Sequence, residues 1–307
     1  MEEVKETNTP KTFKEWVLKK TNSFKKNANI VRELVHRNIK IQYRNSVIGV
    51  MWTVLQPLLN MLVMLVVFGT VLGYGDDPTY ALYLFCGTIT FAVMRAGTTQ
   101  SMTSIVNNRG LLTKNKISQY VFPISCNLTA CINFAFSLVA FFGVMFIVAF
   151  LNPEINIGTA VLPNMVSSWS MFSPYLLLVF VMLPALFLFS YGLSLILATL
   201  YVFFRDVQHF YGVFLTLWTY LTPMFYKLDR FEGANAPAGS DLILFVIKAN
   251  PMYHFVEFFR DITFRCSLGQ NAFNPWSLLT IYALGLGAFG IGTLVFACTR
   301  RKFIYNL

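Results

Sequence analysis

Six apolar runs, each long enough to cross the hydrocarbon core of a bilayer, constrain this chain more than any motif it carries. A core about 30 Å thick takes roughly 20 residues of helix. The runs fall at Ile48–Leu72, Leu82–Ile105, Val121–Leu151, Met171–Phe203, Val207–Phe225 and Trp276–Cys298. A water-soluble domain has no place for them: 56% of the residues are hydrophobic and only 12% charged, about half the usual charged share. Backbone N–H and C=O groups in hydrocarbon must be satisfied within their own segment, so each run reads as a helix. The expectation is an all-α integral membrane fold with six transmembrane helices. The third and fourth runs exceed one crossing, and their ends are expected to tilt or lie along the interface.

The cations orient these spans. The N-terminal segment, the loop Val106–Gln119, the corner Arg205-Asp206 and the tail from Arg300 together hold 18 of the 24 lysines and arginines. On the opposite side, Lys227, Arg230, Lys248, Arg260 and Arg265 are balanced by Asp229, Glu232, Asp241, Glu257 and Asp261. Under the positive-inside rule both termini are cytosolic. No apolar stretch accompanies the seven lysines of the first thirty residues, so the N-terminus reads as a mature cytosolic end and not a signal peptide. The net charge of +10 is that of bilayer flanks, with no nucleic-acid motif beside it. The five cysteines show neither CxxC nor metal-ligand spacing,.

Two segments fall outside the plain pattern of spans. From Val31 to Arg44, the residues Val31, Leu34, Val35, Ile39 and Ile41 share one helical face, with Arg37, Lys40 and Arg44 opposite. This predicts an amphipathic helix in the cytosolic interface, its cations toward lipid phosphates or a protein partner. From Asp241 to Phe264, two apolar pieces too short to cross are broken at Asn250-Pro251. Proline blocks helix continuation, so a re-entrant helical hairpin in the outer leaflet is expected over about 241–267. The domain division is then a cytosolic segment 1–47 and a transmembrane domain 48–307.

The run Arg-x-x-Lys-x-x-Tyr-Arg-x-Ser-x-x-Gly-x-x-Trp from Arg37 to Trp52, with Arg32-Glu33-Leu34 before it and Pro57 beyond, resembles the ABC-2-type permeases that export lipid-linked polysaccharides. Leu221-Thr222-Pro223-Met224-Phe225-Tyr226, Asn250-Pro251 and Phe259-Arg260 follow in that family's order. The likeness extends from about residue 30 to 307 and includes exporters of O-antigen, capsule and teichoic acid. It implies a homodimeric channel for an undecaprenyl-type cargo in the bacterial cytoplasmic membrane. Two copies of an ABC ATPase on a separate chain, carrying ATP and Mg²⁺, would drive it. The residues agree on one point independently: no G-x-x-x-x-G-K-[ST] phosphate loop occurs,, so the chain is read as a permease without an ATPase or cofactor of its own.

An ATPase on another chain must push on something cytosolic. The expected contacts are Arg37, Lys40 and Arg44 on the interfacial helix, and Arg109, Lys114 and Lys116, which match the family's coupling helix; as simple positive-inside flanks they would look the same. For the substrate path the residues singled out are Trp52, Arg95, Tyr211, Phe214, Trp218 and Phe225. Sugars stack on aromatic rings, and four of these rings recur at helical spacing on the fifth run, a pattern that ordinary packing also produces. Arg95 lies inside the second run, where an arginine costs roughly 2.5–3.5 kcal/mol and usually faces a polar interior. It meets either a phosphate-bearing cargo or the carbonyls and threonines of a neighbouring helix. Glu257, Arg260 and Asp261 are spaced to pair with one another. Gly49 permits close approach where the interfacial helix turns into the first span, Pro57 bends that span, and Pro223 and Pro251 mark turns.

Other classes fit less well. An ABC-2 exporter of drugs or small lipids has no evident need for the Arg37-to-Trp52 run. A membrane enzyme of glycan assembly would cluster carboxylates or histidines at one face, and His36, His209 and His254 are scattered. An ion-coupled carrier usually needs acids inside its spans, and the six runs hold none.

Overall fold

A computed structural model describes residues 13–44, 46–74, 77, 79–114, 117–152, 154–156, 165–228, 231, 239–265, 274–299 and 303. Its helices are α1 Phe13–Gln42, α2 Trp52–Leu72, α3 Tyr80–Asn107, α4 Arg109–Lys114, α5 Val121–Leu151, α6 Leu178–Phe203, α7 Val207–Leu221, α8 Ser240–Ala249, α9 Pro251–Arg260 and α10 Pro275–Thr299. The all-helical expectation holds apart from one short antiparallel pair, β1 Glu154–Asn156 with β2 Met165–Ser167, in the loop after α5.

Five helices are long and apolar enough to cross a membrane, those built on α2, α3, α5, α6 and α10. The fifth expected span is a correction. α7 ends at Leu221, not at Phe225, because Thr222 takes an extended conformation (φ −85°, ψ 121°) as the residue before Pro223 must. Its 15 residues extend roughly 22 Å, short of a full crossing. α8 and α9 pass the same apolar test only as a pair, bent by 87° at Asn250-Pro251, so the count is five spans, or six if that pair is one. The fourth run enters α6 through two 3₁₀ turns, Ser168–Met171 and Pro174–Leu177.

α3 lies at the centre, packed against α5 and α6, and α6 packs along α10. Lipid tails are as apolar as leucine, so helices in a bilayer associate by close approach and polar bonds. Both devices are present. The Asn127 carboxamide on α5 donates to Ser101 Oγ of α3 (2.9 Å) and Ser194 Oγ of α6 (2.8 Å), and accepts from Ser190 Oγ (2.6 Å). Between α6 and α10, Gly192 and Gly292 face each other so closely that a Cβ on Gly292 would collide with the Gly192 carbonyl. Phenylalanines fill the remaining centre: Phe141 of α5 stands 5.2 Å from Phe259 of α9 and 6.0 Å from Phe85 of α3.

α1 lies against the start of α5. Leu34 and Val35 are buried, with Leu34 packed beside Val121 and Phe122, while Ile41, assigned to the same apolar face, is 60% exposed. Gly49 has φ +59°, and a Cβ added there would meet nothing within 4 Å, so a left-handed backbone, not close approach, is the reason for glycine at the α1–α2 turn. Replacing Gly292 with alanine should destabilise the protein by about 1–3 kcal/mol through the α6–α10 contact. Gly290→Ala, where a Cβ meets nothing, should leave the melting temperature in detergent unchanged.

Candidate functional site

The turn after α7 is built from side chains that satisfy one another. Asn250 caps α9 by accepting from Met252 N (3.0 Å). The same oxygen accepts from Trp218 Nε1 (2.7 Å), and the Asn250 amide donates to Thr222 Oγ1 (2.8 Å). Pro251, at the first position of α9, gives up an N–H that would otherwise be unpaired. Arg260, only 4% exposed, donates to the carbonyls of Pro223 (2.8 Å) and Met224 (3.2 Å) and lies 3.5 Å from the centre of the Tyr83 ring. The expected pairing of Arg260 with the neighbouring carboxylates gives way to these carbonyls, which the Pro223 turn leaves without helical partners.

This network decides the fate of the aromatic residues on and just after α7. Tyr211 is buried and donates to Thr98 Oγ1 (2.6 Å), Trp218 is buried against Phe91 and Phe189, and Phe225 stacks on Phe68 at 4.9 Å. Three of the four rings are therefore core, and Phe214 alone stays open, 48% exposed. The open face of α7 is instead Phe210, Val213, Leu217 and Tyr220. On α2, Leu62, Val63, Val66 and Val67 are exposed as well. Trp52, at the first position of α2, is exposed. Pro57 falls in the second turn of α2.

Arg95 sits between α2 and α7. It lies fifteen residues after the start of α3 and twelve before its end, and its side chain is exposed. It donates to Thr219 Oγ1 of α7 (2.8 Å) and its guanidinium lies 5.6 Å from the Phe91 ring. A recess of about 170 Å³ opens there, lined by Met64, Phe68, Arg95, Thr216, Tyr220 and Phe225. One threonine hydroxyl leaves most of the five guanidinium donors free for another partner.

At the opposite end, the expected row of cations is not uniform. Arg37 is half-buried and donates to Asn108 Oδ1 (2.9 Å), tying α1 to the α3–α4 junction, whereas Lys40 and Arg44 are exposed. Arg109 is exposed at the start of α4, Lys114 ends that helix, and Lys116 lies outside the described residues. Arg205 stacks on Tyr201 at 5.1 Å. Sequence reasoning passed over Gln42, Gln56, Asn60, Gln100 and Asn133, which line cavities inside the bundle. The available signal, for all but Gln42, was carboxamides within runs that should be purely apolar.

The side away from α1 is pinned by Lys227 Nζ, 2.7 Å from Asp77 Oδ2. Burial alone would raise the Asp77 carboxyl, but the Lys227 ammonium and hydrogen bonds from Thr79 outweigh it and hold the group below its ordinary value.

Comparison with known proteins agrees with this architecture. The profile of the ABC-2 type transporter family matches residues 30–264. An O-antigen export system permease protein RfbA of Myxococcus xanthus is 27% identical over 274 residues, covering 89% of this chain and 94% of that protein. A protein of the same name from Klebsiella pneumoniae is 23% identical over 270 residues, 88% of this chain and 92% of its own length.

Asn250→Ala strips partners from Trp218, Thr222 and the α9 cap together, and should cost about 1–3 kcal/mol for each polar group left buried, read as a lower melting temperature with red-shifted tryptophan fluorescence. A carboxyl depressed in the native state adds stability above its unfolded pKa and loses it as the pH falls through the native one. Asp77→Asn should therefore lower the melting temperature at pH 7, and the difference from wild type should shrink below about pH 4.

Proposed function

The chain belongs to the ABC-2 type transporter family, and from that premise we propose that it is the membrane-spanning subunit of an ATP-driven exporter of a lipid-linked polysaccharide. Two copies form the channel, and two ABC ATPase chains, binding ATP and Mg²⁺, supply the work. The proposal places it in a bacterial cytoplasmic membrane with both termini cytosolic, α1 as the interfacial helix and α8–α9 as a re-entrant hairpin on the outer side. Residues 1–47 then form a cytosolic segment and 48–307 the membrane domain. The end-to-end likeness to proteins named O-antigen export permeases supports the cargo class.

The observation that carries the reading is Arg95. An arginine near the middle of a span is not left facing lipid, yet Arg95 is exposed in the recess between α2 and α7. A second copy closing on that recess would enclose Arg95 in a shared lumen. There its free donors would meet the phosphates of a carrier lipid as charge-assisted hydrogen bonds. The rings offered to sugars in such a lumen are Phe210, Phe214 and Tyr220, with Trp52 at one end. Coupling falls to the Arg37–Asn108 tie, because a push on α4, with Arg109 exposed to the partner and Lys114 at the end of that helix, reaches α1 through it.

The class is tested by purifying the tagged chain gently from its native membrane and identifying by mass spectrometry what accompanies it. A co-purifying ABC ATPase and a polyprenyl-linked glycan are expected; a chain that emerges alone at every detergent strength would overturn the reading. Arg95→Ala should reduce export by tenfold or so, in line with loss of one buried charge-assisted contact, while dimer size and ATPase association stay as in wild type. Loss of the dimer itself would assign Arg95 to assembly.

A further inference from the structure

Two cavities run end to end through the half of the bundle nearest α1. The deeper, about 240 Å³, lies between α2, α3 and α5 and is lined by Gln56, Asn60, Thr88, Asn133 and Ser137 among others. The other, about 570 Å³, opens beside Arg37, Thr103, Asn107 and Asn108. Gln42 and Gln100 line both. Asn60 is eight residues into α2, roughly 12 Å of helix, so the chamber reaches well into the membrane.

Gln56, Asn60 and Gln100 are exposed on the chamber wall and meet no side-chain hydrogen-bond partner among the described residues, so their amides are open to a ligand. Asn133 makes one long bond, donating to Gln42 Oε1 (3.3 Å), and its own oxygen is buried and unpartnered. Of the three such orphaned side-chain atoms among the described residues, Asn133 Oδ1 and Arg37 Nε both belong to walls of these cavities. A buried polar atom without a partner calls for a ligand or water.

The walls state what kind of ligand. Carboxamides and hydroxyls offer donors and acceptors side by side, matching vicinal hydroxyls, and no carboxylate or ammonium lines the deeper chamber. A cation or anion would have no counter-charge inside it, and an apolar chain would strand the amides. The deeper part, about 240 Å³, is on the scale of one sugar ring.

We propose that this amide-lined chamber, separate from the Arg95 face, binds a single neutral sugar ring carried on a lipid, the ring next to the carrier. This rests on the reading of the chain as an exporter of lipid-linked glycan. It makes the chamber a check on the cargo's first sugar before the polymer enters the α2–α7 lumen.

The test uses the permease with its co-purified ATPase in nanodiscs and two photoreactive probes: polyprenyl pyrophosphate bearing one N-acetylhexosamine, and polyprenyl pyrophosphate alone. A site built on hydroxyl hydrogen bonds discriminates strongly against an analogue lacking them, so wild type should label about tenfold more with the sugar-bearing probe, on peptides of α2, α3 and α5. Asn133→Leu, and separately Gln56→Met should Asn133→Leu fail to fold, should bring the ratio close to one with ATPase association intact. Equal labelling by both probes in wild type, or a ratio indifferent to a folded variant, overturns the proposal. Sugar-dependent labelling confined to the Arg95 face overturns it while sparing the export reading. Absence of labelling by either probe anywhere on the chain removes both.

Discussion

At the centre of a bilayer, apolar side chains gain little by exchanging lipid for protein, so the bundle depends on the few polar bonds that cross between helices. The Asn127 carboxamide is the chief of these. With Ser101, Ser190 and Ser194 it joins α3, α5 and α6 at one point, and Gly97 leaves the space it needs, since a Cβ there would stand 2.5 Å from Asn127 Oδ1. Every other element is placed by reference to that trio. α10 lies along α6 through the Gly192–Gly292 contact, α1 rests on the start of α5, and α9 slots its phenylalanines against α3 and α5.

A second polar knot governs the side away from α1. A chain that stops a helix short of the membrane's far surface must satisfy the carbonyls it leaves behind. Arg260 takes those of Pro223 and Met224, and Asn250 takes the hydroxyl of Thr222 and the indole N–H of Trp218. The consequence is a trade between rigidity and surface. Trp218, Tyr211 and Phe225 are drawn inward to hold the short helix in place, and the residues left on its open face are Phe210, Val213, Leu217 and Tyr220. Arg95 stays exposed between that face and α2 because Thr219 reaches it from the side and does not cover it.

The two ends of the molecule therefore differ in kind. Away from α1, an ion pair and buried guanidinium bonds make a fastened cap. Near α1, the Gln and Asn residues around the two cavities are held apart, and among the described residues the Arg37–Asn108 and Asn133–Gln42 bonds cross between the cavity walls. Such under-bonded regions are where a structure opens at least cost.

Five of the six long apolar runs and the break at Asn250-Pro251 were legible in the sequence, because hydrocarbon thickness and the geometry of proline act on local stretches of chain; the fifth run was not, since Pro223 ends α7 at Leu221. The family resemblance was legible too, in the Arg37-to-Trp52 run. The facing of side chains was not. Helical spacing grouped Tyr211, Phe214, Trp218 and Phe225 on one face, but whether that face looks inward or outward depends on partners far along the chain, Thr98, Asn250 and Phe68. The same holds for Arg37, separated from Lys40 and Arg44 only by its reach to Asn108, and for the carboxamides of α2, α3 and α5, each unremarkable alone. Periodicity and composition are properties of neighbours in sequence; a cavity and an exposed arginine are properties of helices brought together, and only the tertiary structure decides them.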